Sequence, residues 1–314
     1  MILSCGDALI DFAPLTAADG REAVRPMVGG SCLNVAVGLA RLGGPAGFVG
    51  GISIDLFGRM IADHAAACGV ELRYATRSDH QTTLAFVRTV AGEAQYAFYD
   101  AATASKNWTY QRGAIPFATI EAVHVGSTTL VEARGASETA ALITEARSTT
   151  TISFDPNCRP SLVKDRRAYL ERMMGFAAGA DMIRMSDVDF NYLYGEEDNC
   201  AARAQSLLAG GCSIVVITRG INGAEVWHRT AGAVKVAAPV VTVVDTIGAG
   251  DSFQAALLFA LSTQGRLARD RLNAISADEL RRALSFACRC AALTCTRAGA
   301  DPPFLREVVG ALPI

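Results

Sequence analysis

Short β-branched runs alternate with longer amphipathic stretches along most of this chain. Residues 1–5 read as a strand running into Gly6. Residues 31–42 read as a helix, with Val35, Leu39 and Leu42 on one face and Gly43-Gly44 as its stop. A strand at 48–52 and a helix at 57–68 follow. Further strands are expected at 122–125, 151–154, 182–185, 214–218 and 240–244, with helices at 137–147, 167–178 and 201–209 between them. This rhythm predicts an α/β fold, a doubly wound and mostly parallel sheet flanked by helices.

Two stretches break the rhythm. Within 12–28, turn residues at Ala18-Asp19-Gly20 suggest a hairpin. Within 71–104, Leu84 and Phe86 would share one strand face and Thr83 and Ala85 the other, while Arg88 interrupts the apolar run. A turn at Ala91-Gly92 and the segment AQYAFY complete a half-exposed antiparallel hairpin. Together they predict a small β appendage inserted in one domain spanning 1–314.

Composition narrows the partners. Half of the 314 residues are apolar, and the formal net charge is −2 with charges interspersed, which disfavours a nucleic-acid face. The longest apolar run, 255–261, is far short of a membrane span. Acidic residues follow the N-terminus at once and no basic n-region precedes them, so a cytoplasmic protein is expected. Nine cysteines without CxxC spacing fit buried thiols in a reducing compartment better than zinc or disulfides. His64, His80, His124 and His228 are scattered and form no ligand pattern.

In doubly wound sheets, ligands bind beyond the carboxyl ends of the strands. The polar residues there are Asp7, Asp11, Asp55, 155–157, 186–189, 218–223 and 245–251, each of which alone could be a cap or a turn residue. The most informative stretch is 243–253, VVDTIGAGDSF. Its glycines, separated only by Ala249, let backbone N–H groups face an anion at a helix N-terminus. Asp251 beside them would repel phosphate, which makes sense if it takes a proton from a hydroxyl attacking that phosphate. The competing reading is an ordinary helix N-cap. Neither GxxxxGK[ST] nor GxGxxG occurs, which disfavours a P-loop ATPase and a dinucleotide dehydrogenase.

Three motifs in order resemble the ribokinase-like (PfkB) family of sugar kinases. They are Gly29-Gly30-Ser31-Cys32-Leu33-Asn34 with the following VAVGLARLGG, GISIDLFG at 51–58, and DTIGAGDSF at 245–253. The resemblance implies a ribokinase-like sheet with a β lid made by 12–28 and 71–104, an ATP and sugar site, and Mg²⁺. It implies Asp251 as the base and Gly248, Ala249 and Gly250 as an anion hole. Asp11, Gly30 and Asn34 would meet sugar hydroxyls, each of which both donates and accepts. Thr218, Gly220 and Gly223 would form the nucleotide turn, with Thr246, Gly248 and Gly250 on the phosphate side.

Within the family, CGDALIDF, TTLAFV, FDPNCRPSL and ALTCTRAGA are most similar to fructokinases. Arg159 would meet an anionic substrate group or pair with a nearby acid such as Asp155. The alternatives are a 2-keto-3-deoxygluconate kinase, a kinase of other ketoses or ribosides, and a sugar-binding regulatory protein without turnover. Some positions depart from the family pattern. Asp189 stands where a longer Glu usually organises Mg²⁺ through water, Asp100 follows Phe98-Tyr99 in place of Arg, and Cys288 replaces an Asn near the adenine pocket. A K⁺ site at carbonyls near Asp245 and 297–299, and a homodimer formed through lid edge strands, are further family expectations.

Overall fold

The computed structural model describes residues 1–90, 93–195 and 199–310. β1 (Ile2–Cys5) leads into a hairpin of β2 (Leu9–Thr16) and β3 (Glu22–Gly29), and the helix Ser31–Arg41 returns the chain to β4 (Ala46–Val49). β5 (Gly51–Ser53) and β6 (Thr76–Ser78) pair in parallel around the helix Leu56–Ala67, and β7 (Thr83–Val90) and β8 (Glu93–Tyr99) form a second hairpin. β9 (Ala122–Gly126), β10 (Thr151–Asp155), β11 (Met182–Ser186) and β12 (Ile214–Thr218) then alternate with helices. A final hairpin, β13 (Ala224–His228) and β14 (Gly232–Val236), precedes the helices Ala249–Thr263 and Ala277–Cys295.

The main sheet runs β14-β13-β12-β11-β10-β9-β1-β4, parallel except for the β13/β14 edge. Its alternating residues explain why both faces are covered. Leu3, Val123, Phe154, Ile183 and Val215 pack against the helices Ala133–Ala146, Arg166–Ala178 and Cys200–Ala209. Their neighbours Ile2, Ala122, Met182 and Ile214 pack the other way, against Ser31–Arg41, Ala249–Thr263 and Ala277–Cys295. Each such aliphatic side chain contributes about 1.5–3 kcal/mol on burial, and a one-residue slip would swap the two sets, so the register is strongly held. β1 pairs with β4 on one side and β9 on the other, which opens a crevice at their carboxyl ends.

The second sheet, β3-β2-β7-β8, lies over that crevice. Its register puts Met27, Asp11, Ala85 and Phe98 in one cross-strand row. On the opposite face Phe12 stacks on Phe86 at 4.6 Å and meets Phe57 edge-on at 5.6 Å. The predicted split of Leu84 and Phe86 from Thr83 and Ala85 is the one observed. The expected turn at Ala91-Gly92 lies outside the described residues.

Some expectations are corrected. The β-branched run at 240–244 is not a strand, and Val240 is 99% exposed. The sheet edge on that side is occupied by β13 and β14, which the pattern did not predict, so the run crosses the sheet end with Val244 N–H bonded to the Cys295 carbonyl at 2.8 Å. The small second sheet, expected from 12–28 and 71–104, begins at Leu9, and its second hairpin spans 83–99. Residues 76–78 instead pair with β5, and Ala104–Asn107 is a short helix. The strand expected at 48–52 is divided between β4 and β5.

Candidate active site

Two helix N-termini meet at the crevice. In the first, Gly248 is the N-cap of Ala249–Thr263 at φ +75°, and a Cβ there would lie 2.6 Å from the Ala300 Cβ. Only glycine enters the helix this way without strain. Asp251 is therefore not the cap but the third residue of the first turn, where backbone N–H groups have no partner within the helix. Asp245 braces the turn: its carboxylate accepts the Ile247 N–H at 3.0 Å and the Gly299 N–H at 2.7 Å.

The second N-terminus is that of Ser31–Arg41. Gly30 caps it at φ +104°, and a Cβ would lie 2.6 Å from the Asp7 carbonyl. The Asp7 carboxylate accepts the Cys32 N–H at 3.1 Å on one oxygen and the Ser127 and Thr128 hydroxyls on the other. Asp7 thus binds this helix to the end of β9.

The Asp251 carboxylate lies between the two helices and is 8% exposed. Ser31 donates to Oδ1 at 2.7 Å and Asn34 Nδ2 donates to Oδ2 at 2.9 Å. Asn157 Nδ2 donates to the Ser31 hydroxyl at 2.6 Å and approaches Oδ1 at 3.5 Å. Burial pushes the Asp251 carboxyl above the usual carboxylate range, against the pull of the Asn34 and Ser31 hydrogen bonds. A desolvated carboxylate of raised basicity is suited to accepting a proton.

Asp251 forms part of the wall of a cavity of about 390 Å³. Asp11 and Phe98 of the second sheet line it together with Gly30, Asn34 and Arg159, and with Thr246, Gly248 and Gly250 from the turn. The Asp11 carboxyl is pushed up to about 7, chiefly by burial and by its neighbour Asp7, with Arg159 opposing. Arg159 does not pair with Asp155. Its Nη1 donates to the Asn157 carbonyl at 3.1 Å, Asn157 Oδ1 at 2.5 Å and the Cys158 carbonyl at 3.0 Å.

A second cavity, about 250 Å³ and more apolar, adjoins the first through Gly250 and Arg184. Thr218, Gly220, Ile221 and Gly223 from the turn after β12 form one wall. Val241 and Val243 from the exposed run, and Cys288, Ala291 and Cys295 from the helix Ala277–Cys295, form the others. The run misread as a strand is thus a cavity wall.

The predicted residues therefore gather in two adjoining cavities, with one exception. Asp189 lines neither; it faces the protein instead, where Oδ1 accepts the Cys158 N–H at 2.9 Å and Oδ2 the Ser186 hydroxyl at 2.8 Å. Asp100, where the family pattern has a cation, pairs with the buried Lys106 at 3.1 Å, whose ammonium also donates to the Thr128 carbonyl. Cys288 lines the apolar cavity. Its thiol is pushed up to about 11 by burial. Among the described residues no group of three or more His, Cys, Asp or Glu side chains is placed to hold a metal ion, and no helix is long and apolar enough to cross a membrane.

Arg184 escaped the sequence reading, although it partners Asp155 at 2.6 Å. Its signal was a charge inside the apolar strand MIRMS, since a buried cation must be paired. Ser31, which links Asp251 to Asn157, was also missed. Nothing local marked it, because its role depends on long-range folding.

Residues 1–306 match the profile described as pfkB family carbohydrate kinase. A fructokinase of Rhizobium leguminosarum bv. trifolii is 35% identical over 283 residues, covering 90% of this chain and 86% of the relative. The crystal structure of a Xylella fastidiosa fructokinase with bound ATP superposes with a TM-score of 0.89 at 29% identity, covering 98% of this chain and 96% of that one. A Vibrio cholerae O395 fructokinase in fructose, ADP and calcium ion bound form gives 0.80 at 27% identity, covering 95% and 94%. A double mutant of it, in fructose, ADP and potassium ion bound form, gives 0.80 at 27% identity, covering 95% and 93%.

Proposed function

The chain belongs to the pfkB family of carbohydrate kinases, and we propose that it is a fructokinase, transferring the γ-phosphoryl group of ATP to a hydroxyl of fructose. The observation that carries this reading is Asp251, a buried carboxylate held by Ser31 and Asn34 where a polar and an apolar cavity meet. The apolar cavity suits a nucleotide base beside Thr218, Gly220 and Gly223. The polar one suits a polyol met by Asp11, Gly30 and Asn34, with Arg159 at its edge.

In this reading Asp251 takes the proton of the sugar hydroxyl as its oxygen attacks phosphorus and ADP leaves. The N–H groups of Gly248 and Gly250 would face the growing negative charge of the transferring group, joined by that of Ala249, which here donates to the Thr246 carbonyl at 3.3 Å. Thr246 precedes them on the phosphate side. The lid face bearing Asp11 and Phe98 covers the sugar and keeps water from acting as acceptor.

The divalent ion is taken to be Mg²⁺. Such an ion keeps much of its water and takes phosphate oxygens with one or two carboxylates. When bound, it neutralises phosphate charge. Asp189, with both oxygens engaged in the protein, would be only an outer, water-linked anchor. Carbonyls of the turn braced by Asp245 and Gly299 fit a K⁺ site. The edge strand β3, with Val24 half-exposed, would pair across a lid-to-lid homodimer, which sedimentation would test.

The deciding experiment is ADP release from ATP and Mg²⁺, with K⁺ present, over fructose, tagatose, ribose, 2-keto-3-deoxygluconate and ribosides. Fructose is expected to give the highest kcat/KM. Arg159 favours the acidic sugar as the second reading, and a preference for 2-keto-3-deoxygluconate would overturn the first. Sugar binding without any ADP release would make the protein a binder.

A further inference from the structure

Arg184 is the buried cation shared by both cavities, and the roles above leave it unused. It sits two residues after Met182 on β11, so its side chain faces the helix Ala249–Thr263, with its guanidinium carbon 5.7 Å from the centre of the Phe253 ring. Its side chain is only 8% exposed. A Cβ on Gly250 would lie 2.9 Å from both Nη1 and Nη2, so the guanidinium packs against the anion turn itself.

The donor inventory is incomplete. A guanidinium carries five N–H donors in a rigid fork. Nη1 gives one to Asp155 at 2.6 Å and Nη2 gives one to Thr218 Oγ1 at 2.7 Å. Each nitrogen keeps a second hydrogen, and the buried Nε has no acceptor. Joining Asp155 to Thr218 needs only two donors. Burying the remainder is costly unless an anion supplies acceptors.

We propose that Arg184 directly contacts the phosphoryl group in transit, at the wall common to the nucleotide and sugar cavities. This rests on the ATP-dependent sugar kinase reading. In the step, the bond from the γ-phosphorus to the bridging oxygen breaks and that oxygen leaves with ADP. A new bond forms from the sugar oxygen to phosphorus, and the hydroxyl proton passes to Asp251. Arg184 keeps all its protons throughout and offers the second N–H of Nη1 and of Nη2, the two nitrogens that face Gly250, to the equatorial oxygens.

The test compares Arg184→Gln and Arg184→Lys with the wild type, by steady-state ADP release with the preferred sugar and by calorimetric ADP binding. ADP lacks the group in question but reports the integrity of the nucleotide cavity. Arg184→Gln is expected to lose about 10²–10³ in kcat while its ADP affinity stays within about threefold. Arg184→Lys should fall between, because it keeps the charge and loses the fork. A kcat within about threefold of wild type in Arg184→Gln would overturn the proposal. So would a joint fall of kcat, ADP affinity and melting temperature in both variants, since that pattern belongs to a purely structural tie. Wild-type protein that binds a sugar but releases no ADP with any acceptor would instead refute the kinase reading beneath it.

Discussion

Asp251→Asn separates the chemical role of this residue from a structural one. The amide keeps the volume and one acceptor oxygen, so the 2.7 Å bond from Ser31 can survive. Its new NH₂ would face Asn34 Nδ2, now 2.9 Å from Oδ2, as donor against donor. A conflict left in place costs about 1–3 kcal/mol, but a turn of the Asn34 amide removes it. Loss of a buried charge works the other way, because burial disfavours the ionised carboxylate. The melting temperature should therefore move by only about 2–4 °C in either direction. The rate should not survive. Removing a general base costs about 10²–10⁴ in kcat, or about 3–5 kcal/mol on the barrier. Calorimetric melting and coupled ADP release measure the two quantities on one sample. The pH profile adds a third check. A base works only when ionised, so wild-type kcat should fall with falling pH on a limb above the ordinary carboxylate range, and the variant's residual rate should lack that limb. Retention of kcat within about tenfold would refute the base assignment, and a collapse of the fold without a specific loss of rate would make Asp251 a structural residue.

Three further outcomes follow from the same geometry. Asp11 has a folded-state pKa raised to about 7 from 3.8, so its stabilising contribution is complete below pH 3.8 and is lost as pH rises through about 7. Asp11→Asn should remove that slope, with a gain over wild type at pH 8 of at most about 4 kcal/mol in urea unfolding, and parallel pH curves for the two proteins would contradict it. Gly248→Ala puts a side chain at φ +75° and against Ala300, so kcat should drop at least about tenfold with a lowered melting temperature, whereas wild-type kinetics would show that the turn tolerates a Cβ. Ile221 is 86% exposed yet lines the apolar cavity, so Ile221→Ala should raise KM for ATP about tenfold with fold stability and sugar KM unchanged, and a shift in sugar KM alone would reverse the assignment of the cavities.

The sheet was readable because both of its faces are buried. Runs such as IVVIT at Ile214–Thr218 have few other places to go, and their strand bounds follow directly. The same logic failed at 240–244, where β-branched residues form a cavity wall rather than a strand. Composition cannot distinguish the two, because each environment wants stiff apolar side chains. The edge hairpin β13/β14 was overlooked for a related reason: its segments are short, and β14 is mostly exposed. Within the site, residues carrying a local glycine or acid motif were legible. Ser31 and Arg184 were not, since each acts on a partner brought close only by the fold: Asp251 lies 220 positions from Ser31, and Asp155 lies 29 from Arg184.

A carboxylate beside an anion site is a costly arrangement, and the helix Ala249–Thr263 explains how it can be productive. Ser31 and Asn34 each occupy one Asp251 oxygen, yet every carboxylate oxygen has a second lone pair, so room remains to accept a hydroxyl proton. The N–H groups of the preceding residues lie within the same helical turn, where the rise is about 1.5 Å per residue. The proposed base and anion hole therefore cannot drift apart: moving one moves the other. Alignment of acceptor and phosphoryl group then depends mainly on where this single turn sits. Asp245, through Ile247 and Gly299, holds it on one side, and the contacts between Gly250 and Arg184 hold it on the other. The least tolerant positions should be these supports together with the turn, rather than the residues proposed to contact the sugar, such as Asp11, because a displaced turn disrupts both halves of the reaction at once.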